Sequence, residues 1–341
     1  MALRAPAAKG LINAVLRGYL RRSVELQAVS QTSDEGRYSF PPWWINKIRA
    51  QYAHLTAAQI DDFLRAGNRH APLTLRVNVR RTTRETYLAR LAAQGIAATA
   101  LEHDAVVLEK PMPVQQLPGF DEGHVSVQDA SAQRAAHLLD VQPDMRVLDA
   151  CAAPGGKTAH ILERADVTLT ALDNDATRLA RVRDNLRRLG LGLSANVVTG
   201  DAADPSSWWD GTPFDRILAD VPCTASGVTR RHPDIKWSRR ESDIAPFAAR
   251  QAAIADALWR LLAAGGKFLY VTCSVFREEN QWQVERFVGR HADAEWLRGL
   301  PLPPFPLDEF SAAPEPQSQH AGQILPDAVH DGFYYALLQK T

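Results

Sequence analysis

Hydrophobic positions along this chain change period several times, and each change predicts a new element. Leu11, Ile12, Val15, Leu16, Tyr19 and Leu20 recur at helical spacing and predict an amphipathic helix near the start. That stretch carries Arg4, Lys9, Arg17, Arg21 and Arg22 and no acid. Such a helix is either the tail of a longer domain or a terminal helix docked on its own protein. Residues 27–41 are polar, with Ser, Gly and Pro, and read as a linker. Pro42-Trp43-Trp44 opens a helix towards Tyr52, and Thr56 is suited to cap a helix ending near Ala66. Leu73 to Val79 alternates as a strand, residues 83–94 form an amphipathic helix stopped by Gly95, and Val106-Val107-Leu108 reads as a second strand.

Beyond residue 125 the pattern becomes regular. A helix over 125–139 leads into a strand at 146–150, a helix at 157–164, a strand at 167–173 and a helix at 175–189. Strands at 195–200 and 214–220, a helix at 243–262, a strand at 267–272, a helix at 278–290 and a last strand at 332–338 follow. This alternation implies a largely parallel sheet covered by helices on both faces. Pro301, Pro303, Pro304, Pro306, Pro314, Pro316 and Pro326 make residues 298–331 an irregular loop. The chain thus divides into residues 1–40 (helix and linker), a small α+β unit at 41–125 and an α/β domain at 126–341.

Composition adds little to this division. Lys+Arg and Asp+Glu balance at 39 each, so net charge identifies no partner, although the distribution of charge does. Arg65, Arg69, Arg76, Arg80, Arg81, Arg84 and Arg90 gather in the small unit with few acids, as a face for a phosphate backbone would. No apolar run reaches the ~18 residues of a membrane span, and no signal peptide is evident. Three cysteines, at 151, 223 and 273, are too far apart for a disulfide framework and lack the paired spacing of a zinc site. A cytoplasmic, monomeric protein with reduced thiols and no metal is expected.

The chemistry concentrates where strands end. Val147-Leu148-Asp149 runs into the small-residue turn Ala150-Cys151-Ala152-Ala153-Pro154-Gly155-Gly156-Lys157-Thr158, the strand–turn–helix unit that opens nucleotide-binding α/β domains. A P-loop would need glycine where Cys151 stands, and Pro154 lacks the N–H that a phosphate nest wants. The Gly-x-Gly-x-x-Gly pattern is absent too. The turn therefore suits a nucleoside without polyphosphate, such as S-adenosylmethionine (SAM). Ligands of such sheets sit at the carboxyl ends of the strands, where Asp149, Asp173, Asp201 and Asp220 all fall. Asp173 is suited to ribose hydroxyls and Asp201 to an adenine amino group. Cys223 and Cys273 follow the fourth and fifth of these strands and should face one crevice, where a thiolate could attack an electron-poor ring carbon. Read singly, either cysteine is an ordinary buried hydrophobe.

Together, Asp149-Ala-Cys-Ala-Ala-Pro-Gly-Gly-Lys-Thr158, Asp220-Val-Pro-Cys-Thr-Ala-Ser-Gly227 and Thr272-Cys273-Ser274 resemble the RNA cytosine-5 methyltransferases of the RsmB/NSUN family. Gly200-Asp201-Ala202 and Arg230-Arg231-His232-Pro233-Asp234-Ile235-Lys236-Trp237 resemble it as well, the last run most closely its RsmB-type branch, which acts on small-subunit rRNA. The similarity covers roughly residues 40–341, and the helix around Leu11–Leu20 resembles the end of the NusB-like domain found in that branch. The resemblance implies a Rossmann-like SAM methyltransferase fold, a mostly parallel seven-stranded sheet, preceded by a small α+β RNA-binding subdomain. It implies Cys273 as the nucleophile towards cytosine carbon 6. Cys223 would help remove the carbon-5 proton or release product, and Asp220 would offset charge near ring nitrogen 3, tied to the turn by Lys157. Cys151, Ala152, Ala153, Pro154, Gly155, Gly156, Lys157, Asp173, Arg178, Asp201 and Asp220 would bind SAM. Arg230, Arg231, His232, Lys236, Arg239 and Arg240 would grip phosphates flanking a base taken out of its stack. A tRNA or DNA substrate, or an RNA-binding assembly factor with a vestigial SAM fold, are the competing readings; binding alone would need no cysteine pair.

Overall fold

The computed structural model describes residues 6–192, 194–299 and 322–341. Its elements are α1 (Lys9–Ser30), α2 (Asp34–Tyr38), α3 (Pro42–Gln51), α4 (Ala57–Ala66), β1 (Leu73–Val77), α5 (Arg84–Ala93), β2 (Ala98–Ala100), β3 (Ala105–Leu108) and β4 (Val125–Val127). There follow α6 (Ala130–Leu138), β5 (Arg146–Ala150), α7 (Gly156–Arg164), β6 (Thr168–Asp173), α8 (Ala176–Arg188), β7 (Ala195–Thr199) and β8 (Phe214–Asp220). The chain closes with α9 (Ile235–Ser238), α10 (Ile244–Trp259), β9 (Leu262–Thr272), α11 (Gln281–Arg290), β10 (Ala294–Leu297), β11 (Gln323–Ile324) and β12 (Phe333–Lys340).

Local chemistry explains most boundaries. Thr56 and Gln59 form a reciprocal capping box on α4, Thr83 caps α5, and Asp175 caps α8 by accepting from the N–H groups of Thr177 and Arg178. The small unit is an antiparallel sheet in the order β2-β3-β1-β4 over a core of Leu75, Val77, Tyr87, Leu91 and Val106. The large sheet runs β10-β12-β9-β8-β5-β6-β7, with β11 paired to β12. Strands β9, β8, β5, β6 and β7 are parallel, and β12 and β10 add antiparallel. Two apolar layers sandwich it. One centres on Leu162, Leu179 and Leu218, the other on Ile217, Leu258 and Phe268. The fold is thus the Rossmann-like methyltransferase sheet with a small α+β unit before it. Chain order reverses at β5, which lies between β6 and β8, so the crevice at its carboxyl end is the expected ligand position.

Several expectations need correction. Residues 27–41 are not a linker: they hold the end of α1 and all of α2, and Tyr38 and Phe40 are buried with Trp44 and Ile48 against Phe276 and Leu325. Short polar runs conceal such packing when only two aromatic residues carry it. Residues 125–127 form β4 rather than helix, because Val125 and Ser126 pair with Val77 and Arg76 before Asp129 caps α6. Strands β2 and β10 were too short to stand out in the sequence. Of the two readings of the first helix, docking on its own protein does not hold. Leu11, Val15, Leu16, Leu20 and Val24 are exposed, and α1 buries no residue. Most of the proline-rich run falls outside the described residues.

Arg76 corrects the basic-face reading most sharply. Neighbouring strand residues point to opposite faces. Leu75 and Val77 enter the small core, and Arg76 therefore faces the other way, fully buried. Its guanidinium donates two 2.8 Å bonds to Glu163 on α7 and a third to the Gly156 carbonyl. Arg65 pairs with Asp61, Arg80 with Asp166, and Arg84 donates to the carbonyls of Leu101 and His103. The face keeps Arg69, Arg80 and Arg81 exposed, Arg80 while paired to Asp166, and its other members are at least half-buried.

Candidate active site

The turn after β5 is shaped by backbone geometry. Cys151 has φ 61° and Gly155 φ 97°, both left-handed. At Gly155 a side chain would also meet Val182 of α8 at about 3.0 Å, so glycine alone fits there. The helix that follows is fastened from below: Thr158 Oγ donates to Asp149 Oδ2 at 2.5 Å. Asp149 is completely buried, and burial raises its carboxyl to about 7. It is a support beneath the turn and does not reach the crevice.

The crevice itself is lined by Cys151, Ala153, Leu172, Asp173, Asn174, Arg178, Gly200, Asp201, Ala202, Asp220, Val221, Pro222, Cys223, Arg250, Ile254 and Cys273. The predicted residues Cys151, Ala153, Asp173, Arg178, Asp201, Asp220, Cys223 and Cys273 are therefore brought to one cleft. Ala152, Pro154, Gly155, Gly156 and Lys157 form the turn behind it and are not among its lining residues. Asp173 accepts from the N–H groups of Ala153 and Asp175, each at 3.0 Å, which fixes the carboxylate against the turn. Arg178 donates to the Ala153 carbonyl at 2.7 Å. Asp201 accepts from Arg250 of α10 at 2.5 Å and from the Ala203 N–H at 2.9 Å. Asn174, Arg250 and Ile254 were not anticipated; they come from loops and α10, where nothing in the local sequence marks a ligand.

The two sulfurs meet. Cys223 lies three residues beyond β8 and Cys273 one residue beyond β9, and β8 and β9 are parallel neighbours with Asp220 opposite Val271. Their Sγ atoms are 3.5 Å apart, a thiol hydrogen-bond distance, and both cysteines are free. Cys223 is buried, whereas Cys273 is partly exposed. The hydrogen bond to Cys273, with burial, pushes the Cys223 thiol well above its ordinary range, so it stays protonated. Lys157 Nζ donates to Asp220 Oδ2 at 2.6 Å. Burial alone would lower this lysine, but the Asp220 carboxylate outweighs it and holds the ammonium charged.

A buried carboxylate that the sequence did not advertise joins the two cysteine loops. Glu279 accepts from Thr224 N–H at 2.9 Å, from the Thr224 and Ser274 hydroxyls at 2.5 Å each, and from Gln251 at 3.1 Å. Ser226 and Ser274 share a hydroxyl bond of 2.9 Å, and Asn280 donates to the Ser274 carbonyl. Gly227 N–H donates to the Cys273 carbonyl, and its Cα packs directly on Gly332. The available signal was the hydroxyl residue after each cysteine; the acceptor they share lies several residues downstream and was not read.

The second basic group fares like the first. Arg230 is buried and bonded to Asp331 at 2.5 Å, and Arg231 pairs with Asp129 and Asp331. Lys236 is buried over the Phe40 ring and bonded to Asn68. Arg239 donates to the Thr224 carbonyl behind Cys223. These four therefore brace the loop between β8 and α10, because unpaired charges could not be buried there. His232 and Arg240 remain exposed.

Comparison with known proteins bears out the fold. A family profile described as 16S rRNA methyltransferase RsmB/F matches residues 136–339, and one described as the RsmF/B-like ferredoxin-like domain matches residues 40–115. Ribosomal RNA small subunit methyltransferase B of Vibrio cholerae is 47% identical over 342 residues, 99% of this chain and 74% of its own length. The protein of that name from Pseudomonas putida is 44% identical, over 99% and 75%. Among solved structures, a methyltransferase homolog from Pyrococcus horikoshii superposes with TM-score 0.72 at 26% identity, covering 88% of this chain and 100% of that one. NSun6 from the same organism, solved with SFG, gives TM-score 0.72 at 20% identity, over 88% and 98%, a likeness of fold.

Proposed function

The chain belongs to the 16S rRNA methyltransferase RsmB/F family, and from that premise we propose that it methylates carbon 5 of a cytosine in small-subunit rRNA through a covalent cysteine adduct. SAM-dependent methylation of rRNA is the activity of the family. The cytosine chemistry rests on one observation, the 3.5 Å sulfur pair inside the cleft.

The cleft suits SAM by its donor set. Asp173, Asp201 and Asp220 would repel a polyphosphate but accept from ribose hydroxyls and an amino group, and they favour a sulfonium cation. Cys151, Ala153, Asp173, Arg178 and Asp201 would hold it. When bound, it supplies an electrophilic methyl group.

Carbon 5 of cytosine is too weakly nucleophilic to take that group unaided. Addition of the Cys273 thiolate to carbon 6 forms an S–C bond and moves the ring electrons towards nitrogen 3 and carbon 5. The charge gathering at nitrogen 3 is neutralised by a proton that Asp220 relays from the Lys157 ammonium bonded to it. Carbon 5 then takes the methyl group. Loss of the carbon-5 proton and cleavage of the S–C bond restore the aromatic ring and free Cys273. Cys223, protonated and in hydrogen-bond contact with Cys273, is positioned to hand its own proton to the departing Cys273 sulfur as it takes the carbon-5 proton in that last step. The base reaches the sulfur only after leaving its stack. Of the two basic groups, Arg69, Arg80, Arg81 and Arg240 are exposed cations available to the phosphates, and His232 is an exposed ring that could hydrogen-bond to them.

The direct test is incubation of the protein with methyl-labelled SAM and unmodified 30S subunits, 16S rRNA or bulk tRNA, followed by bisulfite sequencing. One newly protected cytosine in 16S rRNA is expected. Label in tRNA alone, or label without bisulfite protection, contradicts the reading.

A further inference from the structure

Away from the cleft, three side chains from three elements converge on one buried point. Asp104 sits in the turn between β2 and β3, His137 on α6 and His160 on α7. His137 Nε2 lies 3.5 Å and His160 Nε2 3.6 Å from Asp104 Oδ2, and one ligand atom from each of the three residues lies within 4.8 Å of the others. We propose that these residues bind a divalent transition-metal ion of the zinc class at the seam between the small sheet and the methyltransferase sheet.

The distances argue for an ion rather than for hydrogen bonds. A nitrogen-to-oxygen hydrogen bond is normally 2.7–3.2 Å, and Asp104 Oδ2, His137 Nε2 and both ring nitrogens of His160 are buried with no hydrogen-bond partner. Buried polar atoms left in this way are rare and call for an explanation. Ligands about 2.05 Å from a tetrahedral zinc stand about 3.3 Å from one another, close to the two nitrogen-to-oxygen distances of 3.5 and 3.6 Å. Two imidazoles and one carboxylate are a borderline-soft donor set, suited to Zn²⁺ and its neighbours rather than to Ca²⁺ or Mg²⁺. Water would complete the shell.

The surroundings hold the ligands in place. The His103 ring stacks on His137 with centroids 3.8 Å apart, and Arg84 pins the Asp104 turn through the carbonyls of Leu101 and His103. One competitor is present: Arg164 Nη1 is 3.7 Å from Asp104 Oδ2, on a side chain exposed enough to swing to solvent. The expectation of no metal came from cysteine spacing alone, and these ligands contain no cysteine. An ion here would clamp the small unit to α7, whose first turn carries Lys157.

The test is a Co²⁺ titration of the full, chelator-treated chain, read by visible absorption, with Zn²⁺ as competitor. The Cys223→Ser/Cys273→Ser double variant is run beside it, since the sulfur pair is the other place a soft ion could go. One equivalent should bind, without sulfur-to-metal charge transfer, unchanged in the cysteine variant. It should be lost in His137→Ala and in Asp104→Asn, with far-ultraviolet circular dichroism confirming that both fold. Zn²⁺ should raise the melting temperature of the parent and not of His137→Ala. Binding that vanishes with the cysteines, binding that survives both ligand variants, or no stoichiometric binding overturns the proposal.

Discussion

Replacing Glu279 by alanine would remove the shared acceptor of the two cysteine loops without touching either sulfur. Four hydrogen bonds end on this carboxylate. The hydroxyls of Thr224 and Ser274 keep Ser226 as a partner, and Gln251 keeps the Pro222 carbonyl. The Thr224 N–H keeps neither and is left buried. An orphaned buried donor costs ~1–3 kcal/mol, and the lost charge-assisted bonds add to it. Against this stands relief from burying the carboxyl, since burial pushes Glu279 upward. A net loss of about 2–4 kcal/mol follows. Urea unfolding should show it as a lower midpoint with unchanged slope. Methyl transfer should fall further than stability explains, because a displacement of ~1 Å at a reacting group can cost ~100-fold. Glu279→Gln keeps an acceptor for Thr224 N–H and should lose less than about 1.5 kcal/mol. Glu279→Ala with a stability change within ~0.5 kcal/mol and a full rate would refute the reasoning.

Other perturbations follow from the buried charges. Arg76→Met leaves Glu163 buried without its cation and should cost about 3–5 kcal/mol in urea unfolding; a loss below ~1 kcal/mol would mean that the bidentate pair does not dock the small unit. Asp149 is raised from 3.8 to about 7, so its contribution is fully present below pH 3.8 and is lost as pH rises through about 7. Asp149→Asn keeps an acceptor for Thr158 without the charge. It should exceed the parent in stability above neutrality by up to about 4 kcal/mol, the gap closing towards pH 4. A gap that does not change with pH would contradict this.

The sequence carried the fold because period and punctuation agreed along residues 146–290: apolar strand runs ended in an acid or a glycine turn, and amphipathic helices followed. The sulfur pair was legible for the same reason, since parallel neighbours place equivalent positions side by side. The fate of the arginines was not. Arg76 and Arg230 look like surface charges in one dimension, and only the pairing partners, Glu163 and Asp331, 87 and 101 residues away, reveal them as buried. Glu279 escaped likewise, because its four donors come from three separate segments. The Asp104, His137 and His160 cluster has no spacing motif at all; tertiary packing alone assembles it.

The role of the sulfurs is tested most directly by looking for the adduct. Cys223→Ala and Cys273→Ala proteins are each incubated with SAM and end-labelled 16S rRNA, then run on a denaturing gel. The account predicts RNA covalently attached to the Cys223 variant, none attached to the Cys273 variant, and no methyl transfer by the latter. Turnover or a covalent band from Cys273→Ala would contradict it.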